Sequence, residues 1–475
     1  MIKTRALLVA SLVALTSFPV IAASQELTLS EALQAAQEHH PTIVASRLAQ
    51  ENAQRNLSMT ASAYGLHVNI DGRPLLGTGV QMEKSVPTNY TKGDLRLNAS
   101  LSTPWGLSST AVLTHSYKLD NAANTSLSIS ANAPLDAASV MYNSARLAMG
   151  GQTQAYAKAV WDCQQQERQV VINTLRTYWQ LELDAARLQL SRAELAAKAE
   201  AYQQVFNKAA NGGATDADLL SALIELRQVE ASLHKLEVSY YTQLEQFALD
   251  LGLSTAPGQL PVLASSGFVT KEQLTSFFDQ VALEEAAATT SLTVMKKQLD
   301  LYTAEEKMNA TRLGLLPTAT LSTNYTIPSL GRLNWANSTW NVNINVSLPV
   351  IDGGERKLTV QSQQVALQAA QTALEQARND ARRYLQRKLV EWQLAQADTE
   401  IALLKLEQAH LQKAVKAEHF KLGALTAADM EAAARACQHA ALNLQAAVNT
   451  QYLAELEIAL IVGAPLMLGE HNLHQ

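Results

Sequence analysis

Two stretches of this chain have the pattern of single helices much longer than a compact domain can use. Residues 136–210 and 353–421 show helical spacing and contain no proline. At the rise of an α-helix, each stretch of roughly 70 residues spans on the order of 100 Å. Apolar residues of the second stretch recur at steps of three and four, as in helices packed against other helices: Ala366, Ala370, Ala373, Ala377, Ala381, Leu385, Leu389 and Trp392. We therefore expect two rods.

An internal repeat links the two rods. The segment NGGATDADLLSA begins at Asn211 and the similar LGALTAADMEAA begins at Leu422, so that Asp218 and Asp429 lie 211 residues apart. We predict that each rod turns back at this segment into a shorter helix. The predicted first repeat is 24–255, with a long helix at about 136–211 and a returning helix at about 215–251. A connector at 256–270 follows. The predicted second repeat is 271–465, with helices at about 353–421 and 426–461, and a tail at 466–475 ends the chain.

Strands are predicted between the helices, at about 64–133 and 318–349. In TWNVNINVSLPV, apolar and polar residues alternate from Trp340 to Leu348. Such alternation fits a soluble sheet with one buried face, or a barrel with one face in lipid and a polar lumen. Segments of about ten residues and aromatic residues near their ends suit the barrel.

Residues 1–23 have the features of a secretory signal peptide: a basic start, an apolar run and small residues, with cleavage expected after Ala22 or Ala23. The alternative is an uncleaved membrane anchor. No later run of about 18 apolar residues occurs, so an exported chain without a second membrane helix favours the barrel. The net charge of −6 disfavours a nucleic-acid partner. With only Cys163 and Cys437, we exclude a disulfide framework and a multi-cysteine metal cluster, and expect two packed thiols rather than one bridge.

The first strand region holds 35 more residues than the second. The surplus, near 94–118, resembles a hairpin: DLRLNASLS, a TPWG turn and SSTAVLTHSYK. It either joins the barrel, which makes TPWG a short periplasmic turn and Gly72–Gly93 a long external loop, or decorates the outside. One chain offers four to six strands, whereas single-chain barrels begin at eight and open sheet edges cannot face lipid. Several copies must therefore share one barrel.

The order of elements, together with LTLSEALQAAQEHHPTI, LPVIDGGERK and FKLGALTAADMEAA, resembles the TolC-type outer membrane efflux protein family over essentially the whole mature chain. The resemblance implies an α+β membrane protein with an internal repeat, assembled as a homotrimer. Its outer-membrane β-barrel would continue as a long α-helical, coiled-coil barrel through the periplasm. A periplasmic adaptor and an inner-membrane transporter would dock at the tunnel tip. The protein would be a passive duct for efflux or type I secretion, without a cofactor, and not an enzyme.

The repeated segments are the candidate site. Gly212, Gly213 and Gly423 permit chain reversal, and Thr215 and Thr426 can cap the returning helices. The resemblance places all five at tips that face the adaptor.

Four further residues concern the gate. Asp218 and Asp429 match family acids at the periplasmic constriction; the alternative is that each is only a first-turn helix acid. Phe420 and Leu425 stand where the family pattern has a tyrosine and an arginine that latch the gate, so that this gate would be looser or latched by apolar contacts.

Other interpretations remain open. The chain could be a soluble periplasmic coiled-coil adaptor or scaffold, or a duct for proteins or metals rather than small molecules. His39 and His40 are expected to be exposed rather than metal-binding. Asp352-Gly353-Gly354 lacks the lysine and hydroxyl residue of a phosphate loop and is expected to form a strand-to-helix bend.

Overall fold

The computed structural model describes residues 26–83, 86–118, 121–253, 260–265, 279–330, 337–348 and 351–464. The predicted signal peptide, most of the connector and the C-terminal tail lie outside these ranges. The described strands are β1 Glu26–Leu27, β2 Leu66–Glu83, β3 Val86–Ser102, β4 Ser108–Lys118, β5 Asn121–Pro134, β6 Val262–Leu263, β7 Thr318–Ile327 and β8 Thr339–Ser347. The described helices are α1 Leu29–His39, α2 Pro41–Ser62, α3 Ala137–Met141, α4 Ser144–Ala210, α5 Asp216–Asp250, α6 Gln280–Thr290, α7 Leu292–Leu313, α8 Glu355–Lys421 and α9 Ala427–Val462.

Six strands form one antiparallel sheet in the order β2-β3-β4-β5-β7-β8. The hairpin left open near 94–118 therefore lies within the sheet, with β3 beside β2 and β4 beside β5. The prediction of a long loop at Gly72–Gly93, made for the case that the hairpin joins the barrel, is wrong, because most of this stretch is paired strand. Strands β2 and β3 continue outward as a paired hairpin as far as Glu83 and Val86, because β-prone threonine, valine and tyrosine in this stretch outweigh its glycines.

The two faces of the sheet differ in chemistry. Since paired residues share a face, the register places on one face a set of exposed apolar side chains from four of the strands: Leu66, Val68, Ile70, Leu95, Leu97, Leu101, Ile129, Trp340, Val342, Ile344 and Val346. Asparagine, serine, threonine and a few charged residues occupy most of the opposite face. His115, on the apolar face, hydrogen-bonds the Thr125 hydroxyl at 2.8 Å.

The two long helices have the same length, 67 residues each. Helix α4 begins at Ser144 rather than near 136, because Asp136 caps the short α3 and Asn143 then caps α4 by accepting from the Arg146 N–H at 2.8 Å. Helix α8 begins at Glu355, after Gly353 and Gly354, which both have positive φ. The predicted strand-to-helix bend is confirmed.

The helices pack in a row. Helix α5 packs on α4, α4 on α9, and α9 on α8, while α2 and α7 pack on α4 and α8 nearer the sheet. The main apolar core lies where α1, α4, α5 and α9 meet. There the parallel pair β1–β6 crosses α4, and the buried Tyr178 hydroxyl lies 2.8 Å from the Leu27 carbonyl oxygen and 2.6 Å from that of Ala264.

Candidate functional site: the two helix-tip turns

The tip turns, residues 211–215 and 422–426, each reverse the chain within five residues. Gly212 has a φ of 72° and its N–H donates to the Ala209 carbonyl at 3.0 Å. Gly423 has a φ of 73° and its N–H donates to the Phe420 carbonyl at 2.9 Å. Both glycines end a long helix in the left-handed conformation that other residues adopt at a cost. The chain thus reverses at both turns, and Gly213, the third glycine predicted there, does not have a positive φ.

The returning helices start with the same capping box. In the first turn, the Thr215 N–H donates to Asp218 Oδ2 at 2.9 Å, and the Asp218 N–H donates to the Thr215 hydroxyl at 3.2 Å. In the second, the Thr426 N–H donates to Asp429 Oδ2 at 3.0 Å, and the Asp429 N–H donates to the Thr426 hydroxyl at 3.3 Å. Each threonine–aspartate pair therefore satisfies two backbone N–H groups that have no partner within the helix.

The capping boxes also keep the two acids charged. The Thr215 hydroxyl donates to the Asp218 carboxylate and holds its pKa below the usual range. The Thr426 hydroxyl does the same for the pKa of Asp429, with a smaller contribution from the charge of Lys416. A hydrogen bond to the ionised form favours that form. Both carboxylates are thus anionic at neutral pH, in addition to their part in the cap.

The two predicted gate positions carry apolar side chains beside the second turn. Phe420 is exposed and Leu425 half-buried, and neither can form an ion pair. A charged pair lies next to them, with Lys421 Nζ 2.8 Å from Glu418 Oε1. How these side chains meet those of another copy stays a prediction.

Other candidates have structural roles. His39 is exposed as expected, whereas His40 is half-buried because its Nδ1 caps α2 by accepting the Thr42 N–H at 3.2 Å. Cys163 and Cys437 are free and buried, as predicted. Within the described ranges, no group of three or more histidine, cysteine or acidic side chains is placed to hold a metal ion. Over the same ranges, no helix is both long and apolar enough to cross a membrane.

Sequence reasoning missed a second apolar stripe on α5 and on α8. The stripe on α8 is exposed and repeats at alternating steps of four and three residues: Val390, Leu394, Ala397, Ile401, Leu404, Gln408, Leu411 and Val415. The stripe on α5 is exposed with the same steps, but Arg227, His234 and Glu245 interrupt its apolar residues: Leu220, Ile224, Ala231, Val238 and Tyr241. Their seven-residue period is the signal that could have revealed them.

Comparisons with known proteins agree with this architecture. The sequence model of the outer membrane efflux protein family matches residues 283–464. No curated protein matches the chain. The Campylobacter jejuni CmeC outer membrane channel is 13% identical, with a TM-score of 0.65 over 92% of this chain and 85% of its own. The chain has the fold of the TolC-like outer membrane channels.

Two further channels show the same fold. The open state of the Neisseria gonorrhoeae MtrE outer membrane channel is 14% identical, with a TM-score of 0.63 over 92% of this chain and 89% of its own. The outer membrane protein VceC of Vibrio cholerae is 17% identical, with a TM-score of 0.59 over 92% of this chain and 96% of its own. The resemblance predicted from sequence is therefore confirmed, by the family match in the second repeat and by the fold over most of the chain.

Proposed function

We propose that this protein is a passive outer-membrane duct. It would receive substrate from an inner-membrane transporter through a periplasmic adaptor and release it outside, without catalysing a reaction. The observation that carries the proposal is the two-faced sheet joined to two helical hairpins. An apolar face with Ile70 and Trp340 about 70% exposed suits lipid, whereas the polar opposite face suits a water-filled lumen. A soluble adaptor or scaffold would expose that apolar face to water at a large cost.

The edges of the sheet support assembly from several copies. Strands β2 and β8 lie at the two ends of the described sheet. They run in opposite directions, so that β8 of one copy can pair antiparallel with β2 of the next. Edge backbone groups in lipid must be paired, and six strands are too few to close a barrel alone. A head-to-tail interface of this kind generates a closed ring when the rotation between copies closes, and the family resemblance implies that the ring holds three copies.

The exposed stripes support the same ring in the helical region. Helices α5 and α8 lie at opposite ends of the row of packed helices. They run in opposite directions, since α8 leads to its tip turn and α5 leads away from its own. Two exposed heptad stripes of opposite direction form an antiparallel coiled coil when copies stand side by side. The stripe of α8 would thus contact α5 of the next copy.

The ion pairs between α4 and α5, carried over by the repeat, support a register for the proposed contact between copies. Lys198 Nζ lies 2.7 Å from Glu225 Oε2, and the position of α8 equivalent to Lys198 by the repeat is Ala409. Residues near 409 in one copy therefore lie level with residues near 225 in the next. The alignment that best pairs apolar residues at this level places Leu411 opposite Ile224 of the next copy.

A cysteine pair tests the ring. We expect Leu411→Cys with Ile224→Cys, in a chain whose native cysteines are replaced by serine, to give covalent trimers on oxidation in outer membranes. Each copy carries one cysteine of every seam, so three copies form a closed covalent set. Covalent dimers only, or a soluble monomer in the periplasmic fraction, would contradict the proposal. Leu411→Cys with Val390→Cys, two positions on the same helix face, is the matched control and should give no covalent trimer.

The tip turns would serve as the adaptor-docking end and the constriction. Three copies would bring Asp218 and Asp429 into rings of carboxylates around a narrow neck. The negative charges of these rings would attract cations and repel anions. We expect Asp429→Ala to weaken block of the pore by divalent cations in planar bilayers. Because asparagine keeps an oxygen that can accept the capping bonds, Asp429→Asn separates charge from helix capping. Block that is unchanged in both variants would remove Asp429 from the constriction.

Substrate choice would belong to the transporter rather than to the duct. Deleting the gene should raise sensitivity to toxic small molecules if the partner is an efflux pump. The same deletion should instead remove a protein from the culture medium if the partner is a secretion transporter. The two measurements on one deletion strain distinguish these classes.

A further inference from the structure

The two repeats contribute unequally to the sheet. In the second repeat, α7 leads into β7, and β8 leads into α8. In the first repeat, α2 leads into β2, and β5 leads into α4 by way of the short α3. The pair β2 and β5 is therefore equivalent to the pair β7 and β8. Strands β3 and β4 have no counterpart among the described residues of the second repeat, and they stand between two strands that would otherwise be neighbours.

The added hairpin β3–β4 continues the pairing and the two faces of the sheet, as expected for strands within a barrel wall rather than for a hairpin outside it. Its register is continuous, since Ile70 pairs with Leu97, Leu97 with Leu113, and Leu113 with Leu127. All four residues of this row share the apolar face. The opposite face of the hairpin carries polar residues, as do its neighbours: Asp94, Arg96, Asn98, Ser100, Thr110, Thr114 and Ser116. Both the lipid-type face and the lumen-type face thus continue through β3 and β4.

The turn of the added hairpin is seated against the start of the helical region. The Asn143 side-chain amide donates to the Pro104 carbonyl at 2.8 Å, while its carbonyl oxygen caps α4. Gly106 has a φ of 86°, and a Cβ there would lie 3.0 Å from the Pro134 ring. One side chain therefore joins the hairpin turn to the first turn of α4. The turn is at the end of the sheet from which the helices leave.

We infer that the hairpin β3–β4 forms part of the barrel wall in the assembled pore, and that the barrel is wider than the repeat alone would give. This inference rests on the proposed trimer. Six strands from each of three copies make 18, whereas two strands from each repeat would make 12. With strands ~4.8 Å apart and tilted by ~40°, the backbone diameter rises from ~24 Å to ~36 Å. Allowing ~5 Å of side chain on each wall, the lumen is roughly twofold wider.

Cysteine pairs in the strands decide whether the hairpin is in the wall. In membrane-embedded trimers, we expect Ile70→Cys to cross-link with Leu97→Cys, and Leu113→Cys with Leu127→Cys. Ile70→Cys and Leu127→Cys lie three strands apart, on the order of 14 Å, and should stay reduced. A cross-link between Ile70→Cys and Leu127→Cys would show that β2 and β5 are neighbours and that the hairpin lies outside the wall.

Polymer exclusion measures the width. Residues 77, 92, 118 and 121 lie in one row across the four strands. Replacing residues 78–120 by Asn-Gly therefore joins β2 to β5 through a two-residue turn. With polyethylene glycols added at the barrel side of planar bilayers, the largest polymer admitted by the native pore should have about twice the diameter of that admitted by the variant. Equal limits would overturn the inference.

The two proposals fail in different ways. Covalent trimers through the α5–α8 contact, together with an Ile70–Leu127 cross-link, would reject only the added wall. Absence of any membrane oligomer would reject the duct as well. If the shortened variant does not assemble, the cysteine pairs in the full-length chain still decide the question.

Discussion

The hydroxyl group of Tyr178 gives the most quantitative prediction. It is the point at which two distant segments are joined to the first long helix: β1, 151 residues before it in the chain, and the residue after β6, 86 residues beyond it. Burial, followed by the charges of Glu182, Glu31 and Glu26, raises the pKa of this phenol above its usual range. The group therefore remains protonated, and a hydrogen-bond donor, at neutral pH.

Tyr178→Phe removes only that donor. The side chain is fully buried. Its ring packs edge-on against Phe247 with 6.4 Å between the ring centroids, and phenylalanine retains this contact. The Leu27 carbonyl keeps the Ala264 N–H as a donor at 3.0 Å. The loss is thus concentrated on the Ala264 carbonyl, and a buried group that loses its partner costs about 1–3 kcal/mol. Because one of the two carbonyls keeps a hydrogen-bond partner, we expect Tyr178→Phe to lower the free energy of local opening by about 1–2 kcal/mol.

Hydrogen exchange is the suitable assay, since the loss is local. At 1.4 kcal/mol per factor of ten, amide protection in residues 26–29 and 262–264 should fall by about 5–30-fold, while the tip turns should be unchanged. Tyr202→Phe, on the same helix near the tip, is the matched control and should leave both regions unaffected. Equal protection in Tyr178→Phe and the native protein would refute the claim that this hydroxyl joins the β1–β6 pair to α4.

Three further predictions concern contacts elsewhere in the helical region. Lys388→Met should lower the melting temperature by about 2 °C, because Lys388 Nζ lies 2.8 Å from Glu457 Oε2 on another helix, whereas Lys388→Arg should restore it. The pKa of Asp218 is lowered in the folded protein, so its cap stabilises the first tip turn above a pH of about 4. This stabilisation is lost as the pH falls through the folded pKa of Asp218. Asp218→Asn should abolish the pH dependence of amide exchange at this turn. Gly423→Ala should destabilise its turn by about 1 kcal/mol, whereas Gly151→Ala, inside α4 with open space around it, should stabilise the chain by a similar amount.

Local patterns predicted the helical half of the molecule well. The proline-free stretches gave the two rods, and the glycine, threonine and aspartate spacing gave both tip turns, because capping and chain reversal depend on residues within five positions of each other. The break before Ser144 was missed. It depends on Asn143, whose side chain bonds both α4 and the Pro104 carbonyl, and the latter contact cannot be read from helical periodicity.

Contacts between distant segments were the part that the sequence left open. Alternation predicted strands near 94–118 but not their neighbours, because strand order is set by pairing over the whole sheet. The outer part of the β2–β3 hairpin was predicted as a loop from the usual asymmetry of outer-membrane barrels, which have short periplasmic turns and long external loops. The contact of Tyr178 with Leu27 and Ala264 has no local signature at all. The dual role of Asp218 and Asp429, as caps and as proposed constriction charges, likewise needed the geometry of the turns.

The two repeats have helices of equal length but unequal numbers of described strands. The two long helices have 67 residues each, and both tip turns span five residues. If the tips form one docking surface, they must end at the same distance from the membrane, and each turn of helix added to one repeat alone would displace its tip by 5.4 Å. Strands have no such restriction. A hairpin adds two strands at once, so the chain returns to the same side and α4 still begins where the first repeat requires it. The proposed barrel could therefore widen in steps of two strands per copy while the proposed helical tunnel stays the same, which would account for a difference between the repeats that lies in β3 and β4 and not in the rods.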